Sequence, residues 1–317
     1  MLRQEQPAAP RWKHAAAPLL LGLLAAGGAS WGAFHYGGAL FLLTPVCIGI
    51  GAAWIPARPT QAACIKAAML TVLAIGCLSL AFAIEGLICL VMATPLILPL
   101  AGIGGVIGGL LRRAWERPGT TAMLVLLAAV PGILAWDRPQ VDPAAPLAVT
   151  TSVVVHATPE QVWHQTVDFA PITAPPRGLL AWGIAYPTHA VLRETNGQRC
   201  RECHFTTGAF IEPITVWDPP QHLAFDVSAQ PPAMRELSPW AIHPPHLDTL
   251  LRSRHGEFRI TDLGDGTTRL TGTTWYTIEI VPLVYWRWWS DAIIHRIHAR
   301  VLESIAAHAE ADQSAAR

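Results

Sequence analysis

The sequence lacks an excess of charge of either sign and has no basic run. Its 22 lysines and arginines balance 22 aspartates and glutamates, and only 14% of its residues are charged. The lysines and arginines occur singly or in pairs, without the basic stripe and interleaved aromatics that bind a phosphate backbone. We therefore predict no nucleic-acid partner.

Familiar catalytic motifs are missing as well. The chain has no phosphate loop, no serine, histidine and aspartate in the order of a known triad, and no metalloprotease motif. Cysteines are few, and four of the six lie in apolar segments, where cysteine is usually a small buried residue. Only Cys200 and Cys203 remain as candidates for chemistry.

Hydrophobic residues make up 52% of the chain and are concentrated before residue 137. A helix needs about 20 mostly apolar residues to cross a bilayer, because hydrocarbon offers no partners for backbone polar groups. The stretches that meet this requirement are residues 15–34, 38–56, 62–84, 87–111 and 119–136. We expect residues 1–137 to form an α-helical transmembrane bundle of about five spans that anchors the chain. The first stretch is also consistent with a cleaved signal peptide.

Basic residues occupy alternate connections between these stretches. Residues 35–37 and 85–86 contain none, whereas the segment before the first stretch and the other two connections contain Arg3, Arg11, Lys13, Arg58, Arg112, Arg113 and Arg117, with Lys66 near the start of the third stretch. Positively charged loops usually stay in the cytoplasm. We therefore expect a multi-pass protein of the bacterial inner (plasma) membrane whose C-terminal domain is extracytoplasmic (periplasmic). Cleavage of the first stretch would leave this sidedness unchanged.

A soluble pattern follows a proline-rich linker at residues 138–147. Residues 147–156 alternate as in a strand, and Thr158-Pro159-Glu160 predicts a helix start. A meander of about six strands follows, with a hairpin signal at Asn196-Gly197. The final helix, residues 284–309, has an apolar stripe that includes Trp289, Ile293 and Ile297. The expected fold is α+β, an antiparallel sheet wrapped round this long C-terminal helix.

The segment Val153-Val-Val-His-Ala-Thr-Pro-Glu-Gln-Val-Trp163, with the strand pair 256–260 and 268–275 before the last helix, resembles the START-like or SRPBCC superfamily. Its members include polyketide cyclase/dehydrase and lipid-transport proteins. The resemblance covers residues 148–310 and leaves a tail at 311–317. It implies a helix-grip fold with an apolar cavity between sheet and helix that holds a hydrophobic small molecule. Membrane spans in front of this domain are not part of the usual family pattern.

Four side chains are candidates for acid–base chemistry in that cavity. His295 and His298 lie three residues apart on the last helix, so either one could face the cavity as a general base. The alternative is that both are ordinary core or surface histidines. Glu212 and Glu257 lie on predicted strands and are candidates for the acid partner.

A proline- and histidine-rich insertion, residues 230–251, is expected to form a lid or pocket mouth. In and beside it lie Arg235, Glu236, His243, His246, Asp248 and Arg254, which we assign to ligand binding or the lid together with Trp289, Ile293 and Ile297. His243, His246 and Asp248 are also weak candidates for zinc. Since prolines between them do not guarantee convergence, we predict no metal.

Cys200-Arg-Glu-Cys-His204 has the spacing of a c-type haem attachment site. Thioether attachment needs both thiols on one local turn, whereas these residues fall within a predicted strand. We therefore predict two strand cysteines, either free or oxidised to each other, and no cofactor.

The leading hypothesis is a membrane-anchored protein that binds a lipid or other hydrophobic small molecule, with the lipid bilayer and this ligand as its partners. One alternative is a cyclase/dehydratase-type enzyme acting on an apolar substrate, with Arg235 or Arg254 stabilising an enolate. Another is a non-catalytic envelope interaction protein that docks through Trp286, Trp288 and Trp289. The sequence favours a protein that is not an enzyme.

Overall fold

The computed structural model describes residues 12–30, 36–114, 146–195, 197–235, 237 and 251–315. Within these ranges the chain forms two compact units, an N-terminal helical unit and a C-terminal unit that contains a sheet. The fifth predicted span and most of the predicted linker lie outside the described residues, as do Glu236, His243, His246 and Asp248.

The N-terminal unit is built from apolar helices. They are α1 (Trp12–Ser30), a π-helical turn (Ala39–Leu43) that continues into α2 (Thr44–Ala52), α3 (Gln61–Ala81) and α4 (Leu87–Ala114). The Thr60 side chain caps α3 by accepting a hydrogen bond from the backbone N–H of Ala63. Arg112, in the last turn of α4, donates to the carbonyl oxygens of Ala53 and Pro56 at 2.8 and 2.9 Å. These bonds satisfy backbone acceptors just beyond the end of α2.

Two of the described helices, α3 and α4, are long and apolar enough to cross a membrane. The prediction of about five spans is therefore not met within the described residues. The predicted span at 38–56 is shorter, because the apolar helix covers only Ala39–Ala52 before turns lead to Pro56. The helix α1 includes Lys13 and His14, which lower its apolar character below that of α3 and α4.

Glycines let α4 approach both of its neighbours closely. A Cβ atom on Gly104 would lie 2.1 Å from the carbonyl oxygen of Val46 on α2, and one on Gly108 would also meet α2 backbone. A Cβ atom on Gly105 would lie 3.0 Å from the carbonyl oxygen of Cys64 on α3. Two small-residue faces therefore pack α4 against α2 and α3, in the manner common between membrane helices.

The C-terminal unit is a seven-stranded antiparallel sheet with a long terminal helix. Its elements are β1 (Leu147–Val155), α5 (Pro159–Val167), a 3-10 turn (Gly178–Trp182), β2 (Pro187–Thr195), β3 (Gln198–Phe205), β4 (Gly208–Asp218), β5 (His222–Asp226), β6 (Leu251–Asp262), β7 (Thr268–Ile278) and α6 (Leu283–Ala315). The strand order is β1-β7-β6-β5-β4-β3-β2. This arrangement fits the helix-grip fold. The terminal helix is longer than the predicted 284–309.

Local sequence signals account for several of these elements. Thr158 caps α5 in a capping box with Gln161, and Pro159 occupies the first helical turn, which confirms the predicted start. The hairpin between β2 and β3 pairs Thr195 with Gln198, and Gly197 between them has a φ of 76°, where glycine is favoured.

The register determines which side chains face α6. The core packs Leu223, Ile260 and Leu270 of the sheet against Leu302 and Ile305 of α6. Directly opposed residues in antiparallel strands lie on the same face of a sheet.

The same rule orders the side chains of β3. Cys203, which also packs in the core, lies opposite Phe210, and Arg201 lies opposite Glu212. Because side chains alternate along a strand, Arg201 and Glu212 face α6. Cys200 and His204 face the other side of the sheet.

Candidate functional site

A cavity of about 120 Å³ lies between the inner face of the sheet and α6. Its wall is mostly aromatic and aliphatic, with contributions from Phe205, Phe210, Phe225, Phe258, Ile294 and Ile297. This is the space that the sequence predicts beside the terminal helix, and the described side chains do not fill it. Apolar walls of this kind favour an apolar guest, because its burial removes hydrocarbon surface from water.

One ion pair is buried in the cavity wall. Arg201 is 2% exposed and Glu212 is 5% exposed, and both line the cavity. The Nη1 of Arg201 donates to the Oε2 of Glu212 at 2.5 Å, and its Nε donates to the carbonyl oxygen of Val167 at 3.2 Å. Burial raises the pKa of the Glu212 carboxyl, and the charge of Arg201 opposes this effect.

Aromatic rings surround the Arg201 guanidinium. Its Cζ lies 5.4 Å from the ring centres of Phe169 and Phe258 and 5.6 Å from that of Phe225, distances at which a cation is attracted to a ring. Among the described residues the Nη2 group makes no hydrogen bond. Arg201 is thus a fixed cation with donor capacity left for a ligand in the cavity.

His298 is another polar residue of the wall. Its Nε2 lies 2.8 Å from the hydroxyl of Thr274, and its Nδ1 lies 3.1 Å from the hydroxyl of Thr151. Burial and the nearby His295 lower the pKa of His298 to about 4. The imidazole is therefore neutral near pH 7 and has the protonation state of a general base.

The two predicted histidines occupy different environments. His295 is exposed and does not line the cavity, and its Nδ1 lies 2.8 Å from the same Thr151 hydroxyl. Of this pair, only His298 reaches the predicted ligand space.

The two predicted glutamates also differ. Glu212 faces the cavity, whereas the carboxylate of Glu257 accepts hydrogen bonds from Arg259 at 3.0 and 3.1 Å and lies 2.9 Å from the Nε2 of His222. Glu257 is itself among the residues that line the cavity, but neither partner of its carboxylate is. Its neighbour Phe258 packs in the core, and side chains alternate along a strand, so the Glu257 side chain lies on the opposite face of β6. The carboxylate of Glu257 is thus directed away from the ligand space.

The candidates for the lid and ligand contacts separate in the same way. Ile297 lines the cavity, but Ile293 and Trp289 do not. Arg254 is exposed and donates through its Nε to Thr277 at 3.2 Å, and Arg235 is also exposed. These two arginines do not line the cavity, so the structure does not place either one beside a bound enolate.

The metal and lid predictions on His243, His246, Asp248 and Glu236 concern residues outside the described ranges. Within the described part of the chain, no group of three or more His, Cys, Asp or Glu side chains is placed to hold a metal ion.

The two cysteines of the haem-like segment lie on one continuous strand. Cys203 is buried on the inner face, and Cys200 lies on the opposite face of β3, with both thiols free. Their side chains diverge and do not share a local turn, so this segment lacks the geometry of haem attachment or of a disulfide between them. His204 stacks on His189 on the outer face, with ring centres 4.4 Å apart.

The terminal tryptophans do not form one exposed surface. Trp286 is buried and Trp289 is half-buried, whereas Trp288 is 63% exposed.

Sequence reasoning missed Arg201 altogether. It could have been found by counting back from the turn between β3 and β4, which places Arg201 opposite Glu212.

Comparisons with known proteins give similarity to solved structures only. No family model matches this chain, and no curated protein matches it. The Zhui aromatase/cyclase from Streptomyces sp. R1128 is 17% identical over 54% of this chain and 97% of that chain, with a TM-score of 0.37. A truncated norcoclaurine synthase from Thalictrum flavum is 11% identical over 52% and 96%, with a TM-score of 0.33. At these low values, the helix-grip assignment rests on the strand order and terminal helix described above.

Proposed function

We propose that the C-terminal unit binds a lipid or other hydrophobic small molecule in the cavity between the sheet and α6. The supporting observation is a mostly apolar wall interrupted by a buried ion pair, Arg201 and Glu212. Transfer of apolar ligand surface into this space contributes about 25 cal/mol per Å². The Nη2 of Arg201 is then the contact for one acceptor group of the ligand, such as a carbonyl, hydroxyl or carboxylate oxygen.

We further propose that the apolar helices of the N-terminal unit hold the chain in the bacterial inner membrane as a multi-pass protein. Support comes from α3 and α4, which have spanning length, and from the basic residues on alternate connections. The C-terminal unit then lies on the extracytoplasmic side. Such tethering raises the concentration of the binding unit where apolar molecules partition.

Filling the cavity tests the binding proposal. In Ile297→Trp the larger side chain occupies the ligand space, whereas Ile293→Trp alters the same helix outside the cavity wall. Full-length chains are purified in a non-ionic detergent, and each is divided into a sample without additions and a sample incubated with oleic acid. Native mass spectrometry, with release from the micelle in the instrument, then compares the bound adducts. Bound apolar adducts are expected in the wild type and Ile293→Trp and not in Ile297→Trp. Equal adducts in all three chains, or none in the wild type, would contradict the proposal.

Reporter fusions at the C-terminus test the sidedness. Alkaline phosphatase is active only outside the bacterial cytoplasm. Green fluorescent protein becomes fluorescent in the cytoplasm but stays dark when it is exported in the unfolded state. We expect an active phosphatase fusion and a dark fluorescent fusion. The opposite pair of results would overturn the orientation.

The second candidate function is a cyclase/dehydratase-type enzyme acting on an apolar substrate. It is favoured by His298, a neutral imidazole in the cavity wall. A molecule recovered with the purified chain decides between the two candidates. Conversion of that molecule by the wild type but not by His298→Gln indicates an enzyme, and recovery of the molecule unchanged indicates a carrier.

A further inference from the structure

Four side chains form a continuous row of hydrogen-bonding groups within the C-terminal unit. The Thr274 hydroxyl on β7 lies 2.8 Å from Nε2 of His298 on α6. The Nδ1 of His298 lies 3.1 Å from the Thr151 hydroxyl on β1, which lies 2.8 Å from Nδ1 of His295 on α6. Each distance is short enough for a hydrogen bond.

The two ends of this row lie in different environments. Thr274 and His298 line the cavity, whereas His295 is exposed and stands outside the cavity wall. The spacing of three residues puts both histidines on one face of α6, so that a single threonine of β1 reaches both rings. The row thus connects the ligand space with solvent through groups that can each donate and accept a proton.

The proton count of Thr151 limits how the row can be arranged. A neutral imidazole has one proton, on Nδ1 or on Nε2, and a hydroxyl has one proton and two acceptor positions. When the Thr151 hydroxyl donates to one Nδ1, it accepts from the other. The row then has two arrangements, one with every donor directed outwards and one with every donor directed inwards. In both arrangements the two histidines hold their protons on different ring nitrogens.

We propose that Thr274, His298, Thr151 and His295 form a proton path between the cavity and solvent. In the outward arrangement, Thr274 takes a proton from a ligand hydroxyl as its own proton passes to Nε2 of His298. The Nδ1 proton of His298 passes to Thr151, the Thr151 proton passes to Nδ1 of His295, and the Nε2 proton of His295 passes to water. Each member ends with as many protons as it had, so the net change is one proton moved from ligand to water.

This path indicates the class of molecule that the cavity handles. A purely hydrocarbon ligand has no proton to exchange with this path, whereas a molecule with an ionisable hydroxyl, such as a phenol or an enol, can lose or gain its proton there. The buried ion pair of the same wall is Arg201 and Glu212, and the guanidinium can balance the oxyanion that remains. Glu257 and His255 also line the cavity, but they pair with Arg259 and Asp226, which do not. The next ionisable pair along α6 is Asp291 with Tyr276 of β7. The Asp291 carboxylate accepts a hydrogen bond from the Tyr276 hydroxyl at 2.6 Å.

Nuclear magnetic resonance of the full-length chain tests the path without any ligand. The chain is labelled with ¹⁵N-histidine, held in nanodiscs at mildly alkaline pH, and assigned with His295→Asn and His298→Asn. We expect a proton on Nδ1 of one histidine and on Nε2 of the other. Protons on both Nδ1 atoms would mean that Thr151 accepts from both rings, and the proposal would be wrong.

Exchange of the His298 imidazole proton with water is the second measurement. In Thr151→Val this exchange is expected to slow at least about tenfold, because it then depends on local opening of α6. Thr151→Ser retains the hydroxyl and should exchange like the wild type. Thr150→Val is the matched control, because the Thr150 hydroxyl bonds Thr273 at 3.0 Å instead of either histidine.

Equal exchange in wild type and Thr151→Val would overturn the path. If Thr151→Val does not fold, the positions of the two protons in the wild type decide the question. Neither measurement depends on ligand binding, so the path can fail while the binding proposal stands, and the reverse also holds.

Discussion

Replacement of Arg201 by methionine is the sharpest perturbation of the candidate site. The change leaves Glu212 with 5% exposure and no compensating charge. Breaking a buried pair in this way costs about 3–5 kcal/mol, and the near-complete burial of both partners places this pair in that range. The double variant Arg201→Met/Glu212→Leu removes both charges. It should recover all but about 1 kcal/mol, the contribution of the lost hydrogen bond to Val167.

Hydrogen exchange read by mass spectrometry measures these differences in the full-length chain, where whole-protein unfolding would mix two units. Peptides from β3 and β4 of Arg201→Met should exchange about 10²- to 10⁴-fold faster than those of the wild type, since each 1.4 kcal/mol corresponds to about a tenfold change. The double variant should lie within about tenfold of the wild type. If the double variant exchanges as fast as the single variant, the loss of aliphatic and aromatic packing around Arg201, and not the uncompensated charge, causes the instability.

The direction of the pH dependence is a further check on the same variant. Without Arg201, nothing opposes the upward effect of burial on the pKa of Glu212. The folded variant then retains a proton that the unfolded chain releases near its ordinary pKa of about 4.3. Stability is therefore greatest below that value and declines as pH rises through the folded pKa. A variant that becomes more stable with rising pH would refute this account.

Two other predictions concern His298 and the cysteines. His298 has a folded pKa of about 4 against an unfolded value of about 6.5, so about 3 kcal/mol of stability present above pH 6.5 should be lost as pH falls towards 4. Exchange of α6 amides as a function of pH measures this loss of stability, and the loss should be absent in His298→Gln. If His298→Gln showed the same pH profile as the wild type, His298 would not be its cause. Cys203 is buried and its thiol pKa is raised to about 12 by burial, so iodoacetamide should label Cys200 first. Equal labelling of the two in the folded chain would contradict their placement on opposite faces of β3.

Much of the C-terminal fold follows from local signals. The Thr158 cap, the turn at Gly197 and the apolar periodicity of the last helix each require one backbone conformation, and together they predict a sheet wrapped round a terminal helix. These signals depend on residues that are close in the chain, so the elements can be predicted before the tertiary structure is known.

The polar groups of the site were harder to predict, because facing depends on register and helix rotation. In Cys200-Arg-Glu-Cys-His204, alternation alone permits either set of residues to face inwards, and the haem-like spacing favours the cysteines over Arg201 as candidates. Only the pairing of β3 with β4 selects the inner set. His295 and His298 are separated by less than one turn and both lie near the Thr151 hydroxyl, so the rotation of α6 determines that only His298 reaches the cavity.

The count of membrane spans failed for a different reason. Apolar length in the sequence includes residues that the chain uses in turns, as in the segment that ends α2 before Pro56. A window of suitable hydropathy therefore does not fix helix length: α2 ends before its predicted stretch does, whereas α4 continues beyond residue 111 to Ala114. The segments that became α3 and α4 begin directly after Thr60 and Gly86 and continue without such turns.

The cavity draws its polar and apolar walls from different parts of the unit. Arg201 and Glu212 belong to adjacent strands and are held by backbone pairing on both sides, whereas Ile294, Ile297 and Val301 come from one helix. Substitutions along that helix can enlarge or shrink the chamber while the guanidinium keeps its position. If the cavity binds the ligand proposed above, related chains with different residues on this helix would accept molecules of different size and still contact a ligand oxygen through the same guanidinium.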